Sequence, residues 1–156
     1  MSVFTKEELK FTKEELKQRA FDRAAWVLKH FWDEQCGDIK REVRVHSRLF
    51  DPLVPRIYIE MGTSIEGGGH IEHLVPCVVL RDLAFKMYWD NKTEKDVSEM
   101  LSRLLRVARI TTEEADRLDH KLKLKTRMPD GWDYETGDVL ARLEAAKITL
   151  VLNSST

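Results

Sequence analysis

The chain has 156 residues, of which 42% are hydrophobic and 34% are charged, as expected for one globular domain with its own core. Lys and Arg number 26 and Asp and Glu number 27, so any contact with nucleic acid requires a local cluster of positive residues. The apolar runs are too short for a transmembrane helix, and the first residues lack the apolar centre of a signal peptide. We therefore expect a cytoplasmic protein that does not enter a membrane.

The first predicted element follows a duplicated segment. Residues 4–10, with the sequence Phe-Thr-Lys-Glu-Glu-Leu-Lys, are repeated without change directly afterwards. Each copy contains Thr-x-x-Glu, a capping box that starts a helix, but one helix has only one start. We expect residues 1–11 to be an appendage and residues 12–156 to form a single domain. From Thr12 the apolar residues recur at helical spacing as far as a stop at Gly37, which predicts one long amphipathic helix.

After this helix, alternating apolar residues predict a small antiparallel sheet. We expect one strand within residues 43–49, a second over residues 56–61 and a third over residues 70–75. Two prolines between the first and second strands are typical of a turn. Three glycines at residues 67–69 precede the third strand.

The second half of the chain is predicted to be mostly helical. Helical spacing and capping residues predict four further helices, which begin after Pro76, at Thr93, at Thr111 or Thr112, and near residue 139. The third of these should end at residues 128–131, Met-Pro-Asp-Gly, and residues 148–152 should form a last strand. The predicted fold class is therefore α+β, a helix-rich single domain with a small antiparallel sheet.

The densest chemistry lies in residues 67–76, where three glycines are followed by His70, Glu72 and His73 and then by Pro76. Glycine allows close approach of a phosphate or a metal to the backbone, and Pro76 stops ordinary strand pairing. These side chains should therefore sit at a rim of the sheet. In metal-assisted phosphodiester cleavage, a histidine activates water while an acid or a second histidine holds a divalent cation. The alternative is a surface loop whose histidines only cap strands.

The residues Glu72-His73-Leu74-Val75-Pro76 resemble the Asp/Glu-His-Ile/Val-Val/Ile-Pro signature that opens the HNH, or ββα-metal, nuclease motif. The resemblance implies that Glu72 is a metal ligand, that His73 is the general base and that Asn91 orients this base. The remaining ligand position falls to one of three residues, His120, Asp119 or His70. It further implies a divalent metal ion (Mg²⁺, Mn²⁺, Ni²⁺ or Zn²⁺) and a nucleic acid substrate. The family has a loop and a second strand after the signature, where this chain is predicted to have a helix.

Basic residues supply two candidate contacts for nucleic acid. Four arginines flank the predicted sheet, namely Arg41, Arg44, Arg48 and Arg56. A second group alternates along the chain near His120 and consists of Lys121, Lys123, Lys125 and Arg127. If this segment is extended, its four charges lie on one side and can follow a phosphate chain. The alternative is a solvated strand edge protected by lysines.

Two non-enzymatic functions stay open. The helices predicted from Thr93 and Thr111 could form a helix-turn-helix, with three arginines between them on phosphates. Glu113 and Glu114 at the start of its second helix would, however, repel a phosphate backbone. The other function is a small protein that binds and blocks a protein partner. Its anchors would come from the four tryptophans, Trp26, Trp32, Trp89 and Trp132.

Other familiar signatures are incomplete. His70 and Glu72 followed by Cys77 lack the second cysteine of the zinc deaminases. The triple glycine is not followed by the Lys-Ser/Thr pair of a nucleotide-binding loop. Because Cys36 and Cys77 resemble neither a redox pair nor a zinc site, we expect both to be reduced and unlinked. The sequence leaves the oligomeric state open.

Overall fold

The computed structural model describes residues 11–37 and 45–154, and the predicted α+β class is confirmed. The helices are α1 (Lys13–Trp32), α2 (Phe50–Leu53), α3 (Cys77–Trp89), α4 (Glu94–Leu104), α5 (Thr112–Asp116) and α6 (Ala141–Ala145). The strands are β1 (Glu60–Ser64), β2 (His70–His73), β3 (Val107–Ile110) and β4 (Leu150–Leu152). Of the appendage expected at residues 1–11, only Phe11 belongs to the described residues. Within them, every helix is too short or too polar to cross a membrane.

A layer of three helices, α1, α3 and α4, forms most of the main core. Helix α1 begins at the predicted cap, where the Thr12 hydroxyl accepts the Glu15 amide at 3.2 Å and the Glu15 carboxylate accepts the Thr12 amide at 3.4 Å. Its apolar face is fully covered and consists of Ala20, Phe21, Ala24, Ala25 and Leu28. Buried Tyr88 of α3 donates its hydroxyl proton to the Ala25 carbonyl at 2.6 Å, so the two helices are joined by a hydrogen bond as well as by packing.

Helix α4 also follows its sequence prediction. The Thr93 hydroxyl accepts the Asp96 amide at 3.1 Å, and the Asp96 carboxylate accepts the Thr93 amide at 2.9 Å, which is a complete capping box. These hydrogen bonds hold the pKa of the Asp96 carboxyl below its usual value. The buried side of α4 contains Val97, Met100, Leu101 and Leu104.

The sheet is mixed, with strand order β2-β3-β1-β4, and this corrects the predicted antiparallel sheet. Strand β3 pairs antiparallel with β2 and parallel with β1, while β4 pairs antiparallel with β1. No strand was predicted between the helices that begin at Thr93 and Thr111, but the chain leaves α4 at Leu105, which has a ψ of 88°. Val107 and Ile110 are then buried in a strand. Because β3 separates α4 from α5, these helices do not form the helix-turn-helix considered above.

The other strand predictions were partly wrong. Residues 43 and 44 lie outside the described part of the chain, and Ser47–Leu49 form a 3-10 turn that leads into α2. The side chain of His46 accepts the Arg48 amide at 3.0 Å and so caps this turn. Residues 56–58 form a second 3-10 turn, and the strand begins only at Glu60. The prolines in this region lack the amide donors that a strand ladder needs, which favours turns over an extended chain.

The C-terminal third also departs from its prediction. Helix α5 starts at the predicted Thr111 cap but continues only as a π-helical segment, Arg117–Lys121, well before residues 128–131. Near residue 139 only a five-residue helix, α6, forms, and it leads to the predicted last strand, β4. Trp132 folds back onto the protein: its indole N–H donates to the Asp138 carbonyl at 2.9 Å, and its ring packs against the main core.

Candidate active-site cleft

A cleft of about 650 Å³ opens where β2 ends and α3 begins. One wall is formed by residues 47–59, which contain α2 and the two 3-10 turns. The other wall is formed by Asp119, Lys125 and Thr126, and residues 70–78 lie between the two walls. We call this feature the cleft. It contains the histidines and the acid of the predicted motif, His70, Glu72 and His73, together with Asp119.

His73 faces an acid that sequence reasoning did not select. Its Nε2 lies 3.8 Å from Oδ1 of Asp51, which belongs to the first turn of α2. Burial of the imidazole lowers the pKa of His73 below its usual 6.5, against the opposing effect of the Asp51 and Glu72 carboxylates. The imidazole is therefore neutral at neutral pH and can accept a proton, and Asp51 can stabilise the cation that results.

Glu72 uses both carboxylate oxygens within the protein. Its Oε2 is 2.8 Å from Nε2 of His70, and its Oε1 accepts a hydrogen bond from Nη2 of Arg142 at 3.0 Å. The side chain of Glu72 is 12% exposed and that of Arg142 only 1% exposed. The two form a nearly buried ion pair, so most of the negative charge of Glu72 is compensated before any ligand enters.

Arg142 binds two residues of the cleft, and no feature of the sequence had pointed to it. Besides Glu72, its guanidinium donates to the carbonyls of His73 and Leu124, both at 2.8 Å, and to that of Leu74 at 3.4 Å. Arginine is almost never fully buried unless it is paired, and here every nitrogen of the guanidinium has a partner. Nothing in the pattern of the short helix α6 distinguishes this arginine from a surface residue.

Three exposed cations line the cleft, and they are Arg48, Arg56 and Lys125. All three were among the candidate nucleic-acid contacts of the sequence. In the described part of the chain, none of these three side chains forms an ion pair. With Glu72 compensated by Arg142, the cations outnumber the carboxylates of Asp51 and Asp119. The cleft is therefore suited to an anionic ligand.

The predicted strip of basic residues does not form. Residues 117–121 are helical, and Lys123 has a φ of 56°, so the backbone is not extended here. Lys121, Lys123 and Arg127 lie outside the lining of the cleft. Arg127 instead donates to the Lys123 carbonyl at 3.0 Å and contacts Asp130 at 3.3 Å. Only Lys125 of the four turns to the cleft.

Two other predicted site residues lie apart from His73. Asn91 follows the last turn of α3 with a φ of 63°, the conformation of a helix ending. The 13-residue α3 starts at the cleft, so Asn91 is about 20 Å away along the helix axis. His120 is also outside the lining, with 72% of its side chain exposed and its Nδ1 at 2.8 Å from Oδ1 of Asp116. The structure thus brings together only His70, Glu72, His73 and Asp119.

Cys77 also lines the cleft but is not suited to act as a nucleophile. It is a free thiol whose pKa is raised to about 12, mainly by burial and further by the Asp51 and Glu72 carboxylates. The reactive thiolate is therefore scarce at neutral pH. The side chain of Cys36 lies outside the described residues.

A divalent metal ion does not fit the donors as they are arranged. Both oxygens of Glu72, the ligand implied by the nuclease resemblance, already bind Arg142 and His70. Across residues 11–37 and 45–154, no three His, Cys, Asp or Glu side chains are grouped so that they could hold a metal. No step of the reaction is therefore assigned to a metal ion.

Comparison with protein-family models, with curated proteins and with solved structures gave no match to this chain.

Proposed function

We propose that the chain is a nuclease, in which His73 is the general base for cleavage of a phosphodiester bound in the cleft. One observation carries the proposal. The imidazole of His73, whose pKa is lowered by burial, and the carboxylate of Asp51 face each other at 3.8 Å in a cleft that presents unpaired cations to solvent. A base that can accept a proton and cations that attract a phosphate are the two components that this reaction requires.

The reaction follows from these positions. The imidazole of His73 takes a proton from a water molecule as the water oxygen attacks phosphorus, and the resulting imidazolium is stabilised by Asp51. The bond from phosphorus to the leaving oxygen breaks, and that oxygen takes a proton from solvent. Guanidinium groups bind phosphate oxygens in forked geometry, so Arg48 and Arg56 would neutralise the charge that develops on the phosphate.

A requirement for a divalent metal ion stays a prediction that rests on the resemblance of Glu72-His73-Leu74-Val75-Pro76 to the HNH signature. The engagement of Glu72 by Arg142 argues for activity without a metal. The nucleic acid cleavage assay therefore includes one reaction with a chelator and separate reactions with Mg²⁺, Mn²⁺, Ni²⁺ or Zn²⁺.

The test uses His73→Ala, with His120→Ala as a matched control in an exposed histidine outside the cleft. Cleavage of labelled single-stranded and duplex DNA and RNA is followed by gel electrophoresis. Loss of a general base should lower the rate by about 100-fold or more. The control should retain the wild-type rate, and circular dichroism checks that both variants are folded. Equal cleavage by the wild type and His73→Ala would exclude His73 as the base.

A second candidate function, an inhibitor or adaptor that binds another protein, is favoured by the exposure of two tryptophans. Trp26 is 61% exposed and Trp89 is 66% exposed, whereas Trp32 and Trp132 pack against the main core. Large aromatic side chains are frequent anchors of protein interfaces. If the wild type cleaves no nucleic acid in any arm of the assay, this function becomes the preferred one.

A further inference from the structure

We propose that Arg142 is the positioning residue of the cleft: its buried guanidinium fixes the His73 end of β2 to the wall that carries Lys125. This inference rests on the proposed function only in its kinetic part, since the geometry it describes can be measured without any substrate.

The hydrogen bonds of Arg142 join three regions that are distant in sequence. Nη1 and Nη2 bind the end of β2, at the His73 carbonyl and the Glu72 carboxylate, while Nε binds the Leu124 carbonyl directly before Lys125. The arginine itself comes from α6, 70 positions after Glu72. Two sides of the cleft are therefore held by one rigid, planar group rather than by separate contacts.

The geometry of these hydrogen bonds explains why position 142 holds an arginine and not a lysine. A guanidinium presents five N–H donors in a fixed fork, whereas a lysine ammonium is a single compact charge on a flexible stem. A lysine at position 142 could compensate Glu72 but could not also reach the carbonyls of His73 and Leu124 in the same plane. Removal of the charge altogether would leave the Glu72 carboxylate, whose side chain is 12% exposed, without its main partner.

Arg142 also contributes to the electrostatic environment of His73. Four charged groups from three regions act on this imidazole: Asp51 and Glu72 raise its pKa, while Arg142 and Arg56 lower it in addition to burial. A change at position 142 can therefore alter either the charge or the geometry. Two substitutions separate these effects, because Arg142→Lys keeps the charge and Arg142→Met removes it.

The first measurement is an NMR titration of the His73 imidazole in the wild type and in both variants. The control is Arg23→Met, which changes an exposed arginine of α1 outside the cleft. In Arg142→Met the pKa of His73 should rise, because a cation that lowers it is gone; in Arg142→Lys and in the control it should stay at the wild-type value. If Arg142→Met does not fold, the double variant Glu72→Gln/Arg142→Met is used, because it replaces the ion pair with a neutral pair. In this double variant the amide signals of both His73 and Lys125 should shift relative to the wild type.

The second measurement is the cleavage rate. Because a displacement of about 1 Å can cost about 100-fold in rate, Arg142→Lys should lose about that factor in kcat with little change in KM. Arg23→Met should keep the wild-type kcat. A folded Arg142→Lys with wild-type kcat and unchanged His73 and Lys125 amide signals would overturn the positioning role. A wild type without cleavage activity would instead overturn the proposed function, and the amide signals of the folded variants would still decide the role of Arg142.

Discussion

The helical layer and the walls of the cleft are built in different ways. In the layer, α1 and α4 each begin at a complete capping box and each bury one continuous apolar stripe. In the walls, residues 47–59 form short 3-10 and α turns, and residues 117–121 form a π-helical segment that is followed by irregular chain. The layer is stabilised by contacts that repeat along each helix, whereas the cleft depends on single side-chain contacts such as those of Arg142.

Stability and chemistry therefore depend on different parts of the molecule. Leu101 and its neighbours in the layer are fully buried, so substitutions there should change the free energy of unfolding. Asp51 and Arg56 in the wall are exposed, so substitutions there should change the ionisation or binding behaviour of the cleft with little cost in stability. Arg142 is the exception, since it is buried and also binds Glu72 and His73, which line the cleft. Substitutions in the helical layer and in the cleft test this division between stability and chemistry.

The largest effect is expected for Leu101→Ala in the helical layer. Leu101 is fully buried in α4, and the substitution should lower the free energy of unfolding by about 3 kcal/mol through lost burial and a residual cavity. Urea denaturation measures this change. The pKa of His73 in the folded protein should remain at the wild-type value. A shift of that pKa would show that the layer and the cleft are coupled.

A smaller effect is expected for Thr93→Ala, which removes the cap of α4. The Asp96 amide would lose the hydroxyl that accepts it at 3.1 Å, and the free energy of unfolding should fall by about 1 kcal/mol. Thr112→Ala is the control, because Thr112 is an exposed helical residue whose side chain caps no amide. If both variants lose the same stability in urea denaturation, the loss comes from the threonine side chain in general and not from capping.

The smallest change in stability, within about 0.5 kcal/mol, is expected for Asp51→Asn, whose side chain is 58% exposed. The Asp51 carboxylate raises the pKa of His73, so its removal should lower that pKa further. The acid limb of the cleavage rate, where protonation of His73 removes the base, should therefore move to lower pH. NMR titration of the imidazole checks the direction without substrate. A rise in the pKa would show that Asp51 does not act on His73 through its charge.

The same division explains how much could be predicted from the sequence. The starts of α1, α4 and α5 were predicted correctly because Thr12, Thr93 and Thr111 cap them through residues only three positions away. Strand β3 was missed because its four residues carry too short a pattern to compete with the preceding helix. Its place in the centre of the sheet is fixed by tertiary pairing with β1 and β2.

Part of the candidate site, like part of the fold, could be predicted from the sequence. The motif at the end of β2 indicated that His70, Glu72 and His73 belong together, and they do line one cleft. Asp51 and Arg142 could not be found in this way, because each reaches the motif from a distant segment and neither has a distinctive local pattern. Asn91 and His120 were chosen by their order along the sequence, which does not determine their distance from His73 in space.

The separation of Arg142 and Glu72 along the sequence affects the order in which parts of the molecule fold. Helices α1, α3 and α4 are complete by residue 104, whereas the contact between Arg142 and Glu72 spans 70 positions and needs α6. Closure of so long a loop is entropically slow compared with the growth of a helix. We expect a chain emerging from the ribosome to gain its helical circular dichroism first and the contact between Arg142 and Glu72 last.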